Sequence, residues 1–201
     1  RGLGDVYKRQ IIVFVASPKN WHFILMGVLG ILMCVVFIAT AGYRADRIRI
    51  WLAPEKYDDG YQTMQSLYAI GSGGFFGRGL GNSIQKMGFI PESHNDMIFS
   101  VICEELGLFG AVLTIIMFIL LIYRCTVLAI NSGDRFGGLI AVGVMAHIAV
   151  QALINISVVT NTIPPTGVPL PFISYGGSSI FFLLLEMGLM FAVARQIKPG
   201  R

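Results

Sequence analysis

The sequence predicts an all-α integral membrane protein: a polytopic helical bundle with about four spans and a large outer loop carrying short helices. Three observations predict it. The 201 residues are 55% hydrophobic and only 13% charged, against about 25% charged in soluble domains. Mean hydropathy is +0.71. The apolar residues also gather into runs of spanning length, and the segments between those runs hold nearly all the charge.

Residues 1–10 are polar and match nothing around them, so a non-native or disordered leader is expected there. Residues 11–16 are apolar but too short to span, and resemble the end of an earlier segment. There is no initiating Met and no signal-peptide pattern. Residues 11–201 are therefore expected to be the C-terminal part of a larger transmembrane domain. Residues 23–42 are uncharged, about 30 Å long as a helix. Further spans are expected at about 108–124, where Arg124 reaches the interface, at 136–159, and at 178–194, broken only by Glu186.

Orientation follows from Lys and Arg. Lys8, Arg9 and Lys19 precede the first span, Arg124 and Arg135 flank the short third connection, and Arg195, Lys198 and Arg201 follow the last span. Four spans then put both ends in the cytoplasm. Loops at about 43–107 and 161–177 lie outside. The net charge of +4 reports topology, and no nucleic-acid partner is expected. Cys34, Cys103 and Cys125 lie in or near spans and are expected to pack as small apolar residues without disulfides.

The outer loops hold the chemistry. Arg44, Arg47 and Arg49 mix with Trp51 and Tyr57, as in an interfacial stretch able to meet membrane lipids. A short helix is expected over residues 61–70. The glycine-rich segment 71–82 is not a nucleotide loop, because no strand precedes it and the Gly-Lys-Ser/Thr element is missing. Its glycines let backbone approach backbone, or let backbone approach a phosphate or sugar. Arg78 and Lys86 are candidate diphosphate ligands or solvated loop charges. Residues 163–179 contain four prolines and three glycines without any charge. No regular helix forms there, and irregular apolar backbone fits the rim or floor of an outward-facing cavity.

Pro91-Glu92-Ser93-His94-Asn95-Asp96 puts two carboxylates and an imidazole beside a span. If Pro91 opens a helix, Glu92 and Asp96 share a face at i and i+4. Each then disfavours the other's ionised form, which suits a general base. Acidic residues also favour any helix N-terminus, so both readings stand. His147, Gln151 and Asn155 form a polar stripe at i, i+4 and i+8, which interhelical hydrogen bonding explains. Glu186, inside the last span, needs a partner such as His147 or Gln151, or one from outside this chain.

Two motifs carry a resemblance. Lys86-x4-Pro91-Glu92-x-His94-x-Asp96-x-Ile98-Phe99, followed by Glu104-Glu105-Leu106-Gly107, resembles the large outer loop of the SEDS family (FtsW, RodA, SpoVE). Pro164 to Pro171 and Phe172-Ile-Ser-Tyr-Gly-Gly-Ser-Ser179 are similar to its C-terminal signature. Val159-Thr-Asn-Thr-Ile-Pro looks nearer to the FtsW and SpoVE branch, of division and sporulation, than to RodA. Asn95 and Met97 depart from the family's usual residues but only flank the aspartate.

The resemblance implies a glycosyltransferase of the bacterial cytoplasmic membrane, with about ten spans and a cytoplasmic C-terminus. Such enzymes polymerise lipid II, an undecaprenyl-diphosphate-linked disaccharide peptide, into peptidoglycan. A class B penicillin-binding protein and other division proteins are the implied partners. Asp96 matches the family's essential aspartate, the implied general base. Arg78, Lys86, Glu92, His94, Ser174 and Tyr175 are implied to bind substrate, and Glu105 and Glu186 to be structural or coupling residues. A divalent cation such as Mg or Mn is compatible with the diphosphate chemistry. The 201-residue chain alone is expected to be inactive.

Other classes remain open from the residues. Glu92-x-His94-x-Asp96 in an extended segment puts three ligands on one face, as in a metal hydrolase, though three ligands without a second His make a weak zinc site. Ser93, His94 and Asp96 are too close in sequence for a hydrolase triad. Broken helices and a buried Glu186 suit a flippase or transporter. A non-catalytic division scaffold is the third alternative.

Overall fold

The computed structural model describes residues 21, 25, 27–33, 42–84 and 95–197. The chain divides into two compact units, Arg1–Arg49 and Ile50–Arg201. In the first, residues 27–33 are helical; the rest of the expected 23–42 span, with Cys34, lies almost entirely outside the described residues, as does the leader 1–10. Helix α1 is Gly42–Leu52. Within it, Arg49 pairs with Asp46 at 3.5 Å across one turn.

The second unit holds the larger part of the fold. Two short 3-10 turns, Pro54–Lys56 and Asp58–Gly60, lead into α2, Tyr61–Gly73. Then come α3, Ile98–Ile130, α4, Arg135–Val159, and α5, Gly177–Gln196. The described residues contain no strand. Helices α3, α4 and α5 are each long and apolar enough to cross a membrane. Their outer faces expose Met117, Ile119, Leu153, Phe181 and Leu184, the side chains a lipid environment accommodates. Inward, Phe118, Cys125, Ala141, Ile148, Ala152, Leu183 and Met190 form the core. Cys103 and Cys125 are free and buried.

Helix α3 begins at Ile98, not near residue 108 as the hydropathy suggested, because Glu104 and Glu105 lie inside it. It is also broken: Gly107 has φ 66° and ψ −161°, a conformation essentially reserved for glycine. A break strips the adjoining carbonyls and N–H groups of their helical partners, which is costly at membrane depth. The glycine-rich segment repairs it. Arg78 N and Gly79 N donate to the carbonyls of Glu104 and Glu105, each at 2.9 Å, while Leu108 N and Phe109 N donate to Gly74 O and Phe75 O at 2.8 and 3.2 Å. At Gly73 and Gly77 backbone approaches backbone, one of the two roles open to these glycines. The small residues Thr63, Ser66, Ala69 and Gly73 form the buried face of α2. At Gly73 a Cβ would collide with the Cys103 carbonyl.

At the far end, α3 turns into α4 over residues 131–134. Asn131 N closes the last turn on Val127 O at 3.1 Å, and Asp134 caps α4 by accepting from Gly137 N at 3.2 Å. Val193, near the end of α5, packs beside Gly137. The starts of α3 and α5, the end of α4 and the whole of α2 lie at the opposite end. The residues just ahead of α3 and those between α4 and α5 therefore meet there.

Candidate functional site

Helix α4 ends where Asn161 takes φ 55°, a left-handed stop, and the prolines that follow bar any restart. Thr162 N and Ile163 N fold back onto Ser157 O at 2.8 and 3.3 Å. Trp51 Nε1 donates to Asn161 O at 2.9 Å, and Ser66 Oγ donates to Val159 O at 3.0 Å. The end of α1 and the middle of α2 are thereby fastened to the start of the proline-rich loop.

That loop is packed against the bundle, as irregular backbone in a membrane protein must be. Leu170, Pro171 and Ser174 are buried. Ser174 Oγ accepts from Leu170 N at 2.7 Å, and Ser174 N donates back to Leu170 O at 3.1 Å. Tyr175, beside it, is 78% exposed. Of the two expected substrate contacts in this loop, Ser174 thus holds the loop's own turn and Tyr175 stands at its surface.

Asp96 lies over this loop. Asn95 and Asp96 form a turn, and the helix starts only at Ile98 with Met97 as its cap. Asp96 is therefore outside the helix that an i, i+4 pairing with Glu92 would require. Pro91, Glu92, His94 and Lys86 lie outside the described residues. Gln62 Nε2, from α2, donates to Asp96 Oδ1 at 3.4 Å. Asp96 Oδ2 faces Gly167, where a Cβ would stand 3.8 Å from it. Gly167 itself has φ 65°. Carboxylate and loop thus meet across a glycine.

The polar stripe of α4 does more than bind helices together. Asn155 Nδ2 donates to Asp96 O at 2.7 Å and to Val168 O at 2.8 Å. One turn away, Gln151 Nε2 donates to Pro169 O at 3.0 Å. Only His147 makes the expected interhelical bond, its Nδ1 lying 2.8 Å from Glu186 Oε2. Gln62 was not legible as a site residue, because nothing in its sequence surroundings marks it. The i+4 spacing of Gln151 and Asn155 was the available signal for the other two.

Arg78 is engaged within the protein. Its Nη1 lies 3.6 Å from Oε1 of Glu104, which is completely buried and also accepts from Ser83 Oγ and, at 3.1 Å, from Ile84 N. Glu105 supplies the backbone carbonyl to which Gly79 binds. Among the described residues no three His, Cys, Asp or Glu side chains converge to hold a metal.

The FtsW/RodA/SpoVE cell cycle protein model matches residues 6–199. Stage V sporulation protein E of Bacillus subtilis is 42% identical over 187 residues, 92% of this chain and 51% of that protein. A probable peptidoglycan glycosyltransferase FtsW of Trichlorobacter lovleyi is 38% identical over 94% of this chain and 50% of its own length. The chain thus spans about half the length of the curated relatives it matches. Among solved structures, a chain of a peptidoglycan synthase complex that coordinates polymerization and crosslinking superposes with TM-score 0.73 at 27% identity, covering 97% of this chain and 55% of that one. A mutant of the Thermus thermophilus rod shape determining protein RodA gives 0.52 at 32% identity, covering 67% and 41%.

Proposed function

This chain belongs to the FtsW/RodA/SpoVE family, and on that premise we propose that it forms about half of a peptidoglycan glycosyltransferase acting on lipid II. The observation that carries this reading is the Asp96 carboxylate, held by Gln62 and facing Gly167 of an uncharged, packed loop. Such a site offers one base and a floor of fixed backbone, which is what sugar transfer from an activated diphosphate needs.

In this reading Asp96 takes the proton of the acceptor sugar's 4-hydroxyl. The oxygen forms a bond to the donor's anomeric carbon and inverts it, while the bond to undecaprenyl diphosphate breaks and the diphosphate leaves with the electron pair. A diphosphate is a good leaving group, so a single base suffices where hydrolases need two carboxylates. Glu92, His94 and Lys86 are proposed to contact the substrate from the adjoining segment, with Tyr175 at the loop surface. Arg78 and Ser174 shape the walls through their internal bonds. Glu105 and Glu186 are proposed as structural or coupling residues.

The site faces the outer side of the cytoplasmic membrane in this reading, since Arg124, Arg135 and Arg195 cluster toward the opposite end and mark it as cytoplasmic. The C-terminus is then cytoplasmic. A class B penicillin-binding protein is the proposed partner, supported by the similarity to a synthase complex that couples polymerization to crosslinking.

The test is polymerisation of lipid II in detergent by the full-length protein with its class B partner, read as gel-resolved glycan chains. Detergent solution has no compartments, so a flippase or scaffold leaves no product. A glycan ladder is the expected result; its absence gives the function to one of those alternatives.

A further inference from the structure

Asn155 is completely buried in α4, yet neither bond of its amide nitrogen goes to a side chain. One N–H meets the carbonyl of Asp96 and the other that of Val168, at 2.7 and 2.8 Å. Only the nitrogen of an amide can face two carbonyl oxygens, so these two bonds fix its orientation. The two carbonyls belong to different outer loops, far apart in sequence. A single –NH2 group therefore sets the spacing between the turn that carries Asp96 and the loop beneath it. Val168 adjoins Gly167, the residue that Asp96 Oδ2 faces. The same amide thus registers both the carboxylate and the surface opposite it.

Other bonds also reach the turn, on its α3 side: Ser100 N and Oγ donate to Met97 O at 3.0 and 2.7 Å. Asp96 lies ahead of α3, whose first residue is Ile98, and Met97 caps that helix with no side-chain bond. Gln62 reaches the carboxylate at the long distance of 3.4 Å. Gln151, on the same face of α4, holds Pro169 but not the Asp96 turn.

We infer that Asn155 is a positioning residue for glycosyl transfer: it holds Asp96 at a fixed height over the 163–174 loop, so that base and bound sugar meet in reactive geometry. This rests on the glycosyltransferase reading. Its signature is kinetic. A misplacement of about 1 Å costs on the order of 100-fold in rate, whereas Asn155, buried and bonded to backbone carbonyls, adds no contact of its own to the substrate. Loss of Asn155 therefore lowers kcat and leaves KM nearly intact.

The experiment compares wild type, Asn155→Ala, Gln151→Ala and Asp96→Asn in the full-length protein with its class B partner, with kcat and KM measured on lipid II. Folding is checked by monodispersity and thermal midpoint. Asn155→Ala is expected to lose about 10- to 100-fold in kcat with KM within about threefold, and Gln151→Ala to lose less. Equal losses in the two variants, or a loss confined to KM, would overturn the assignment. If Asn155→Ala does not accumulate, Asn155→Ser, which keeps one donor, is expected to fold with an intermediate kcat; failure of both to fold makes Asn155 a folding residue and overturns the inference. Asp96→Asn separates the two levels. Wild-type turnover by Asp96→Asn removes the base and the inference together, while a silent Asp96→Asn beside a fully active Asn155→Ala removes only the inference.

Discussion

Gly77 packs directly against Gly107, backbone to backbone, with no room for a Cβ on either. Both have positive φ, 74° and 66°. This contact seats the glycine-rich segment in the break of α3.

Gly77→Ala is therefore expected to combine backbone strain with a main-chain collision, destabilising the protein by about 3 kcal/mol or more. Gly71→Ala is the contrast: Gly71 is helical and exposed, with nothing near its Cβ position. It is expected to stabilise by about 0.5–1 kcal/mol. Thermal midpoints of the two variants in one detergent check both signs.

Glu104→Ala removes the acceptor shared by Ser83, Ile84 and Arg78. Loss of a buried charge partner costs about 3–5 kcal/mol. Arg78→Ala is expected to cost about 1 kcal/mol or less, since the guanidinium is 37% exposed and sits at 3.6 Å. Similar losses from both would mean that the ion pair, and not the hydrogen bonds to Glu104, secures the loop.

His147 and Glu186 tie α4 to α5 inside the membrane region. A double-mutant cycle with His147→Ala and Glu186→Ala is expected to give a coupling of about 1 kcal/mol, as membrane hydrogen bonds do. Additive effects would remove this pair as the tie.

The helical, membrane-spanning architecture was legible because lipid demands long uncharged runs, and α4 and α5 lie within a residue or two of the spans that hydropathy marks. The start of α3 was not. Glu104 and Glu105 read as loop residues until Glu104 is seen buried among its own donors. The break at Gly107 was equally hidden, since one glycine in a helical run does not announce a left-handed conformation. At the site, Asp96 was identifiable by its motif, and the packed character of the proline-rich loop by its lack of charge. The roles of Gln62 and Asn155 were not, because each depends on a partner brought near only by the fold. The Arg78–Glu104 pair was not legible either, because its members lie far apart in sequence.

The most direct measurement is the turnover of lipid II by well-folded full-length Asp96→Asn with its class B partner, beside wild type. A base in direct contact with the reacting hydroxyl predicts a fall in kcat of about 100- to 10,000-fold, with little change in thermal midpoint. Wild-type turnover from a folded Asp96→Asn would contradict the account at its centre.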